Sequence, residues 1–313
     1  MMKRIALLSL MLCCAVLMTA QPQGTPGGFK MPETNPQYKD LNYAGDSLEA
    51  HRLDIYLPQT GLDRYKVVVI IYGSAWFANN MKAMAYLSIG KPLVDAGFAV
   101  VSINHRSSGD AKFPAQVHDV KAAIRYLRAH AAEYHLDTSF IGITGFSSGG
   151  HLSSFAGVSN GMKTRVVGST TIDVEGSVGH CPGYSSRVDA VADWFGPVDM
   201  ATMERCETVK DAQSPEAALM GGAPAELPDL VTLCSPYSYV TPEGPRFLVI
   251  HGDADNVVPH CQSERFAKVL KENGRLERFI SVPGGGHGPV TFNDSTFGAM
   301  VQFFQQEAKG KAD

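Results

Sequence analysis

The sequence lacks any concentration of basic residues and any long run of charge of one sign. Its 27 Lys and Arg residues are outnumbered by 31 Asp and Glu residues, so the formal net charge is −4. Without a basic patch to hold phosphate groups, nucleic acid is not expected as a partner. The chain also lacks internal repeats and any Cys/His spacing typical of zinc, which argues against a repeat architecture and a bound metal.

The N-terminus has the layout of a targeting segment. Lys3 and Arg4 precede an apolar stretch over residues 5–17, and Ala20 offers a small residue before Gln21. The stretch is too short to span a bilayer comfortably, so residues 1–20 are predicted to be a cleaved signal peptide rather than an anchor. The protein is therefore expected to be exported, to the periplasm or beyond, without stable insertion in a membrane.

Residues 21–39 are rich in Pro, Gly, Gln and Asn and are predicted to form a flexible leader. Residues 40–313 then read as a single domain, in keeping with 44% hydrophobic and 19% charged residues. Export permits disulfides, and four cysteines remain after the signal, which allows three pairings that the sequence does not distinguish. These cysteines are Cys181, Cys206, Cys234 and Cys261.

Short β-branched apolar runs alternate with helical patterns along this domain. Such alternation predicts an α/β fold with a mostly parallel central sheet and helices on both faces. The predicted core strands are 67–72, 98–103, 140–144, 188–195, 246–251 and 278–282, and the predicted helices are 114–131, a stretch from Ser148, 262–272 and 296–308. The functional loops of such a sheet lie at the carboxyl ends of its strands.

Three further segments are less regular. Residues 53–57 alternate apolar and polar side chains, which predicts a half-exposed edge strand. Residues 157–187 and 202–241 are rich in Gly, Pro and Ser and read as insertions over the sheet, where they could shape a substrate cleft.

Ser147 is the predicted nucleophile. It lies in Gly-Phe-Ser-Ser-Gly at 145–149, which matches G-x-S-x-G, and this stretch follows an apolar strand and precedes a helix. A serine on such a strand-turn-helix has its hydroxyl exposed above the sheet. The same pattern occurs again around Ser159, but there it follows a helix and is interpreted as a helix-ending turn.

A serine hydroxyl needs a base, and in this architecture the order along the chain is Ser, then an acid, then His. The loop after strand 246–251 contains two candidate acids, Asp253 and Asp255. Asp255 lies further out on the turn and is preferred, whereas Asp253 is expected to shape the turn; Asp199 is a third alternative. His287, in a glycine-rich loop after the last strand, is the predicted base.

The oxyanion of a tetrahedral intermediate needs fixed N–H donors. One is expected from Ser148, directly after the nucleophile, and others from the loop at 72–76, Tyr-Gly-Ser-Ala-Trp. In that loop Trp76 is interpreted either as a core aromatic or as a residue that lines the substrate cleft.

The chain resembles the BD-FAE group of bacterial esterases, which have feruloyl and acetyl-xylan esterase activity. The resemblance spans residues 53–304 and includes VVVIIYGSAW, GFSSGGHL, ADWFGPVD, HGDADNVVPHCQSE and PGGGHG. It implies an α/β-hydrolase fold, with Ser147, Asp255 and His287 at the triad positions. It also implies that Ser74 and Ala75 stand where the family's HGGGW loop has oxyanion-binding glycines. Tyr72, Ser74 and Ala75 depart from that loop, and their Cβ atoms leave less room for the acyl group.

The expected function is that of an exported serine esterase, which removes acetyl or feruloyl groups from a xylan-type plant polysaccharide without a cofactor. Three alternatives are a prolyl-oligopeptidase-type peptidase, a small-molecule carboxylesterase or formamidase, and a non-enzymatic carbohydrate-binding pseudo-hydrolase. The substrate is the only expected partner, and the sequence does not predict an oligomeric state.

Overall fold

A computed structural model describes residues 33–204, 206–207 and 213–310. The predicted signal peptide, and the leader up to residue 32, lie outside these residues. No helix within the described ranges has the length and apolar character needed to cross a membrane.

The core is an eight-stranded sheet in the order β1-β2-β4-β3-β5-β8-β9-β10, in which β1, β2 and β4 pair antiparallel and all other neighbours pair parallel. β6 and β7 form a separate hairpin. The strands are β1 (Tyr38–Asn42), β2 (Arg52–Tyr56), β3 (Tyr65–Ile71), β4 (Ala99–Ile103), β5 (Leu136–Phe146), β6 (Thr164–Val167), β7 (Thr170–Asp173), β8 (Ala190–Trp194), β9 (Arg246–Gly252) and β10 (Leu276–Val282).

Helices cover both faces of the sheet. They are α1 (Lys82–Ala85), α2 (Lys91–Asp95), α3 (Ala115–Ala129), α4 (Ser148–Val158), α5 (Pro215–Met220), α6 (Pro228–Cys234), α7 (Cys261–Glu272) and α8 (Asp294–Lys309). A π-helical turn, Tyr86–Gly90, joins α1 to α2, and 3₁₀ turns occur at Glu49–His51, Pro224–Glu226 and Pro236–Tyr239.

The run of β-branched residues in β3 is buried on both faces, as its sequence predicts. Val67, Val69 and Ile71 belong to the hydrophobic core under α3, α4 and α7, whereas Val68 and Ile70 belong to the core under α1, α2 and α8. All five are fully buried. Because side chains alternate across a strand, one apolar run supplies both cores. The predicted parallel sheet with helices on both faces is confirmed.

The edge of the sheet differs from the prediction. The segment predicted as an edge strand is β2, which lies between β1 and β4. Its polar residue Asp54 is only 1% exposed, and Lys82 Nζ lies 3.2 Å from its carboxylate. The negative charge can be buried because it is paired with this cation. The alternation therefore comes from a buried ion pair, not from a solvent-facing side. The edge strand is β1, so Tyr38 and Lys39 belong to the sheet and not to the leader.

The two predicted insertions contain regular structure. Within 157–187, the β6–β7 hairpin packs against α6. The described part of 202–241 contains α5 and α6, and a disulfide joins Cys206 to Cys261 at the start of α7. Each of the three pairings that the sequence leaves open has two disulfides, whereas here Cys206–Cys261 forms and Cys181 and Cys234 are free thiols. The disulfide tethers the second insertion to the helix that follows Asp255.

Candidate active site

Ser147 lies on a sharp turn between β5 and α4. Its backbone angles, φ 55° and ψ −128°, fall in a region that costs a side-chain-bearing residue free energy. The turn is fixed because the Ser147 N–H donates to the Trp194 carbonyl at 2.9 Å. A Cβ on Gly149 would lie 2.3 Å from the Ile71 carbonyl oxygen, so only glycine allows α4 to approach β3 this closely. The strand-turn-helix predicted for Ser147 is present.

The second match to the serine motif has no such geometry. Ser159 follows the last residue of α4, and its hydroxyl donates to the Phe155 carbonyl at 2.7 Å. It is fully buried. The helix-ending role predicted for Ser159 agrees with this position.

Asp255 and His287 are joined by a hydrogen bond of 2.7 Å between Oδ2 and Nδ1. The other carboxylate oxygen of Asp255 accepts the N–H groups of Val257 and Val258, at 2.8 and 3.0 Å. Burial alone would raise the pKa of Asp255, but the hydrogen bonds from His251 and His287 and the nearby charge of His287 hold it below its ordinary value. Asp255 is therefore a carboxylate oriented towards the imidazole.

The other two candidate acids have structural contacts. Asp253 is exposed, and its Oδ1 accepts the Gly284 N–H at 2.7 Å, so it links its own loop to the loop of His287. Asp199 binds the Thr202 hydroxyl at 2.8 Å and faces Arg265 at 3.5 Å. Neither carboxylate is hydrogen-bonded to His287.

The imidazole of His287 and the nucleophile contact adjacent residues of one segment, without a hydrogen bond between them in the described structure. Ser147 is hydrogen-bonded to the backbone of Trp194, and the ring of the next residue, Phe195, lies 4.6 Å from the ring of His287 between centroids. Nε2 of His287 is buried and has no hydrogen-bond partner among the described residues. Since Nδ1 faces the carboxylate, Nε2 is left as the nitrogen that can accept a proton.

The candidate oxyanion donors are not equivalent. The Ser74 N–H donates to Oγ of Ser148 at 2.9 Å, so it is already engaged. Ala75 and Ser148 both line the same cavity as Ser147, and neither N–H has an acceptor in the part of the chain that the structure describes. Ala75 has a φ of 50°. Ala75 and Ser148 thus lie at the cavity of the nucleophile with their N–H groups available, whereas the Ser74 N–H is bound to the Ser148 hydroxyl.

Gly73 separates this loop from the nucleophile. A Cβ on Gly73 would lie 2.6 Å from Cβ of Ser147, closer than two such carbons can approach. Steric contact with the nucleophile therefore requires glycine at position 73. The other loop positions, Tyr72, Ser74 and Ala75, differ from the HGGGW pattern.

Trp76 is both buried and part of the cavity wall. It is 1% exposed, and its indole N–H donates to Nδ1 of His151 at 3.2 Å. Nε2 of His151 then donates to the Cys234 carbonyl at 2.9 Å, which defines a neutral tautomer. Burial lowers the pKa of His151 to about 4, in keeping with that tautomer. Trp76 is thus a core aromatic that also lines the cavity, and this chain of contacts joins the 72–76 loop to α4 and α6.

The cavity beside Ser147 has a volume of about 380 Å³. One part of the lining comes from the β3 and β5 loops and from Pro197, and the other part comes from residues 203–204 and 214–216 of the second insertion together with Val257 and Val258. The insertion contributes Met203, Glu204, Ser214, Pro215 and Glu216. The sequence predicts that the insertions could shape a cleft but gives no pattern that identifies these five side chains. Of the two insertions, the cavity is lined by the second.

Three comparisons agree with this description. A family model described as BD-FAE matches residues 53–270. Esterase LipQ of Mycobacterium tuberculosis is 32% identical over 227 residues, which are 72% of this chain and 50% of LipQ. The chain spans between half and three fifths of the length of the first curated relatives it matches.

Two solved structures are more similar. One, described as a bifunctional GH43-CE of Bacteroides eggerthii, is 63% identical with a TM-score of 0.86, over 87% of this chain and 35% of that one. The other, a truncated carbohydrate esterase from gut microbiota, is 59% identical with a TM-score of 0.86, over 87% of this chain and 96% of that one. The α/β-hydrolase fold and the family resemblance are both confirmed, and the named relatives agree with the predicted class of enzyme.

Proposed function

The chain belongs to the BD-FAE family, and from this membership and the geometry around Ser147 we propose that it is a serine esterase that removes acyl groups from a carbohydrate. The observation that carries the proposal is a combination within one site. A strained serine and two N–H groups without acceptors among the described residues line one cavity. The hydrogen-bonded Asp255–His287 pair packs on Phe195, the residue after the one whose carbonyl binds the Ser147 N–H. These are the parts that acyl transfer from an ester requires.

In the proposed mechanism, Nε2 of His287 takes the proton of the Ser147 hydroxyl as Oγ attacks the ester carbonyl carbon. The N–H groups of Ala75 and Ser148 donate to the resulting oxyanion. Collapse of the tetrahedral intermediate breaks the ester C–O bond, and the alcohol leaves with the proton from His287. A water molecule, deprotonated by His287, then attacks the acyl-serine and releases the acid. Asp255 keeps the imidazole in the required tautomer and stabilises the imidazolium.

We further propose that the substrate is an acetyl or feruloyl ester of a xylan-type polysaccharide. The similarity to a carbohydrate esterase and to a GH43-CE supports a sugar ester. Glu204, Ser214 and Glu216 give the insertion wall oxygen atoms that can accept hydrogen bonds from sugar hydroxyls. Export, proposed from residues 1–20, is supported by the Cys206–Cys261 disulfide, because disulfides persist in oxidising compartments.

The experiment that tests this proposal is release of acetate and of ferulate from acetylated and feruloylated xylan, measured beside hydrolysis of a simple aryl acetate. Release of either acid with a higher kcat/KM than for the aryl ester supports a carbohydrate esterase. Hydrolysis of the aryl ester alone would favour the small-molecule carboxylesterase that the sequence also suggests. Cleavage of prolyl peptides in place of esters would contradict the proposal.

The Ser148 hydroxyl gives a prediction of intermediate size. Ser148→Ala keeps the backbone N–H but removes the acceptor of the Ser74 N–H, so the loop that carries Ala75 loses an anchor. We expect kcat on an aryl acetate to fall roughly tenfold, less than the loss on removing an oxyanion donor itself, with KM little changed. Steady-state kinetics measure both values. An unchanged kcat would show that the Ser74–Ser148 hydrogen bond does not position the loop.

A further inference from the structure

His251 is the fully buried last-but-one residue of β9, two residues after the strand's central Val249 and four before Asp255. We propose that His251, held by Ser263 of α7, is a positioning residue that fixes the carboxylate of Asp255 for its hydrogen bond with His287. The inference rests on the proposed function, because it assigns His251 a role through the proposed Asp255–His287 pair.

The contacts of His251 define which nitrogen carries the proton. Nε2 lies 3.0 Å from the Val258 carbonyl oxygen and 3.3 Å from Oδ2 of Asp255. Both neighbours can only accept, so Nε2 must carry a hydrogen in either charge state of the ring. Nδ1 lies 2.7 Å from Oγ of Ser263, a hydroxyl that can donate to it. Ser263 therefore favours the tautomer in which Nε2 carries the hydrogen, bonded to the Val258 carbonyl and facing Oδ2 of Asp255 at 3.3 Å.

Asp255 thereby receives donors from two sides. The backbone N–H groups of Val257 and Val258 bind Oδ1, and the imidazoles of His287 and His251 flank Oδ2 at 2.7 and 3.3 Å. The Asp255 side chain is fully buried, so water does not compete for these positions. Rotation of the carboxylate would break several hydrogen bonds at once, and the His251 contact is the one that restrains the oxygen shared with His287.

The same contacts join the proposed Asp255–His287 pair to the lining of the cavity beside Ser147. Ser263 lies two residues after Cys261, whose disulfide partner Cys206 follows the cavity residues Met203 and Glu204. His251 also binds the backbone of Val258, which lines the cavity. A single imidazole thus connects the acid, the first turn of α7 and the cavity wall, which explains why a histidine fits this position better than an apolar residue of similar size.

The test compares His251→Leu, which removes both nitrogens, with His251→Gln, which restores a side-chain N–H, and with His260→Gln as the matched control. The ring of His260 lies 5.3 Å from that of His251 between centroids, but its nitrogens contact Ser281 and Glu264, not Asp255. We expect His251→Leu to lower kcat on an aryl acetate roughly 10- to 100-fold, as loss of an orienting partner does at other sites, with KM nearly unchanged. His251→Gln should recover most of this loss, and His260→Gln should match wild type.

Two measurements separate positioning from a general effect on folding. First, kcat is calculated from the concentration of active sites, which is measured by stoichiometric acylation of the serine. Unfolded protein is therefore excluded from the enzyme concentration. The effect of His251→Leu is then measured again with Asp255→Asn present. If His251 acts through Asp255, it should have little further effect there. An equal fold-loss in both backgrounds, or an unchanged kcat for His251→Leu, would overturn the proposal.

The activity of Ser147→Ala tests the proposed function separately from the role of His251. If Ser147→Ala is inactive while His251→Leu behaves as wild type, the inference fails and the esterase proposal stands. If Ser147→Ala keeps its activity, the proposed function itself fails, whatever His251→Leu does.

Discussion

Replacement of Ser147 by Ala is expected to lower kcat on an aryl acetate by roughly ten thousand- to a million-fold, the size of loss that follows removal of a triad nucleophile. The reason is chemical, since without Oγ no acyl-enzyme forms and only water attack assisted by the oxyanion donors remains. The fold should be retained, because the backbone of Ser147, with its N–H on the Trp194 carbonyl, makes the contact that fixes the turn. Initial rates on an aryl acetate, with circular dichroism to verify folding, measure the effect.

Ser159→Ala is the matched control, because Ser159 lies in the second copy of the same motif. It removes a hydroxyl bonded to the Phe155 carbonyl and is expected to cost about 1 kcal/mol of stability, with the rate per folded molecule unchanged. The reverse result, an active Ser147→Ala and an inactive Ser159→Ala, would mean that the strand-turn-helix context does not identify the nucleophile.

The parts that the sequence predicts well are those determined by local physics. The apolar run in β3 can be buried only between two layers of helices, and the structure has it there. The Ser147 turn follows from a strand, a glycine-rich motif and a helix in direct succession. Asp255 and Asp253 lie two positions apart on one turn and have different partners, His287 and the Gly284 N–H, while the role of Asp255 as the acid stays a prediction.

The parts that the sequence does not predict depend on contacts between distant segments. Asp54 looks solvent-facing until Lys82, from a helix 28 residues later in the chain, is seen to neutralise it. The Cys206–Cys261 pairing depends on how the second insertion folds back over α7. The Ser74 N–H is aligned with the oxyanion-binding glycines in sequence, yet the Ser148 hydroxyl, which the family's pattern does not determine, takes it. In each case the partner residue is distant along the chain, so the local sequence pattern does not reveal the contact.

Asp255→Asn is expected to lower kcat by roughly a thousand- to ten thousand-fold. The substitution keeps the shape of the side chain, but the amide can present N–H to Nδ1 of His287, which reverses the tautomer and places the hydrogen on Nε2. The nitrogen that must accept the proton of Ser147 is then blocked, and the imidazolium loses the negative charge that stabilises it. Because these effects act on the transition state, kcat and kcat/KM should fall together, as steady-state kinetics on an aryl acetate will measure.

Asp253→Asn is the matched control for the competing assignment. Its carboxylate accepts only the Gly284 N–H among its hydrogen bonds in the described chain, and an amide oxygen can accept the same bond. We expect its kcat to stay within about threefold of wild type, since a neutral acceptor only modestly weakens one loop contact. If Asp253→Asn were instead the inactive variant, the acid would lie two positions earlier on the turn than the 2.7 Å contact indicates. In that case His287 would have to move towards Asp253 before it could act as the base.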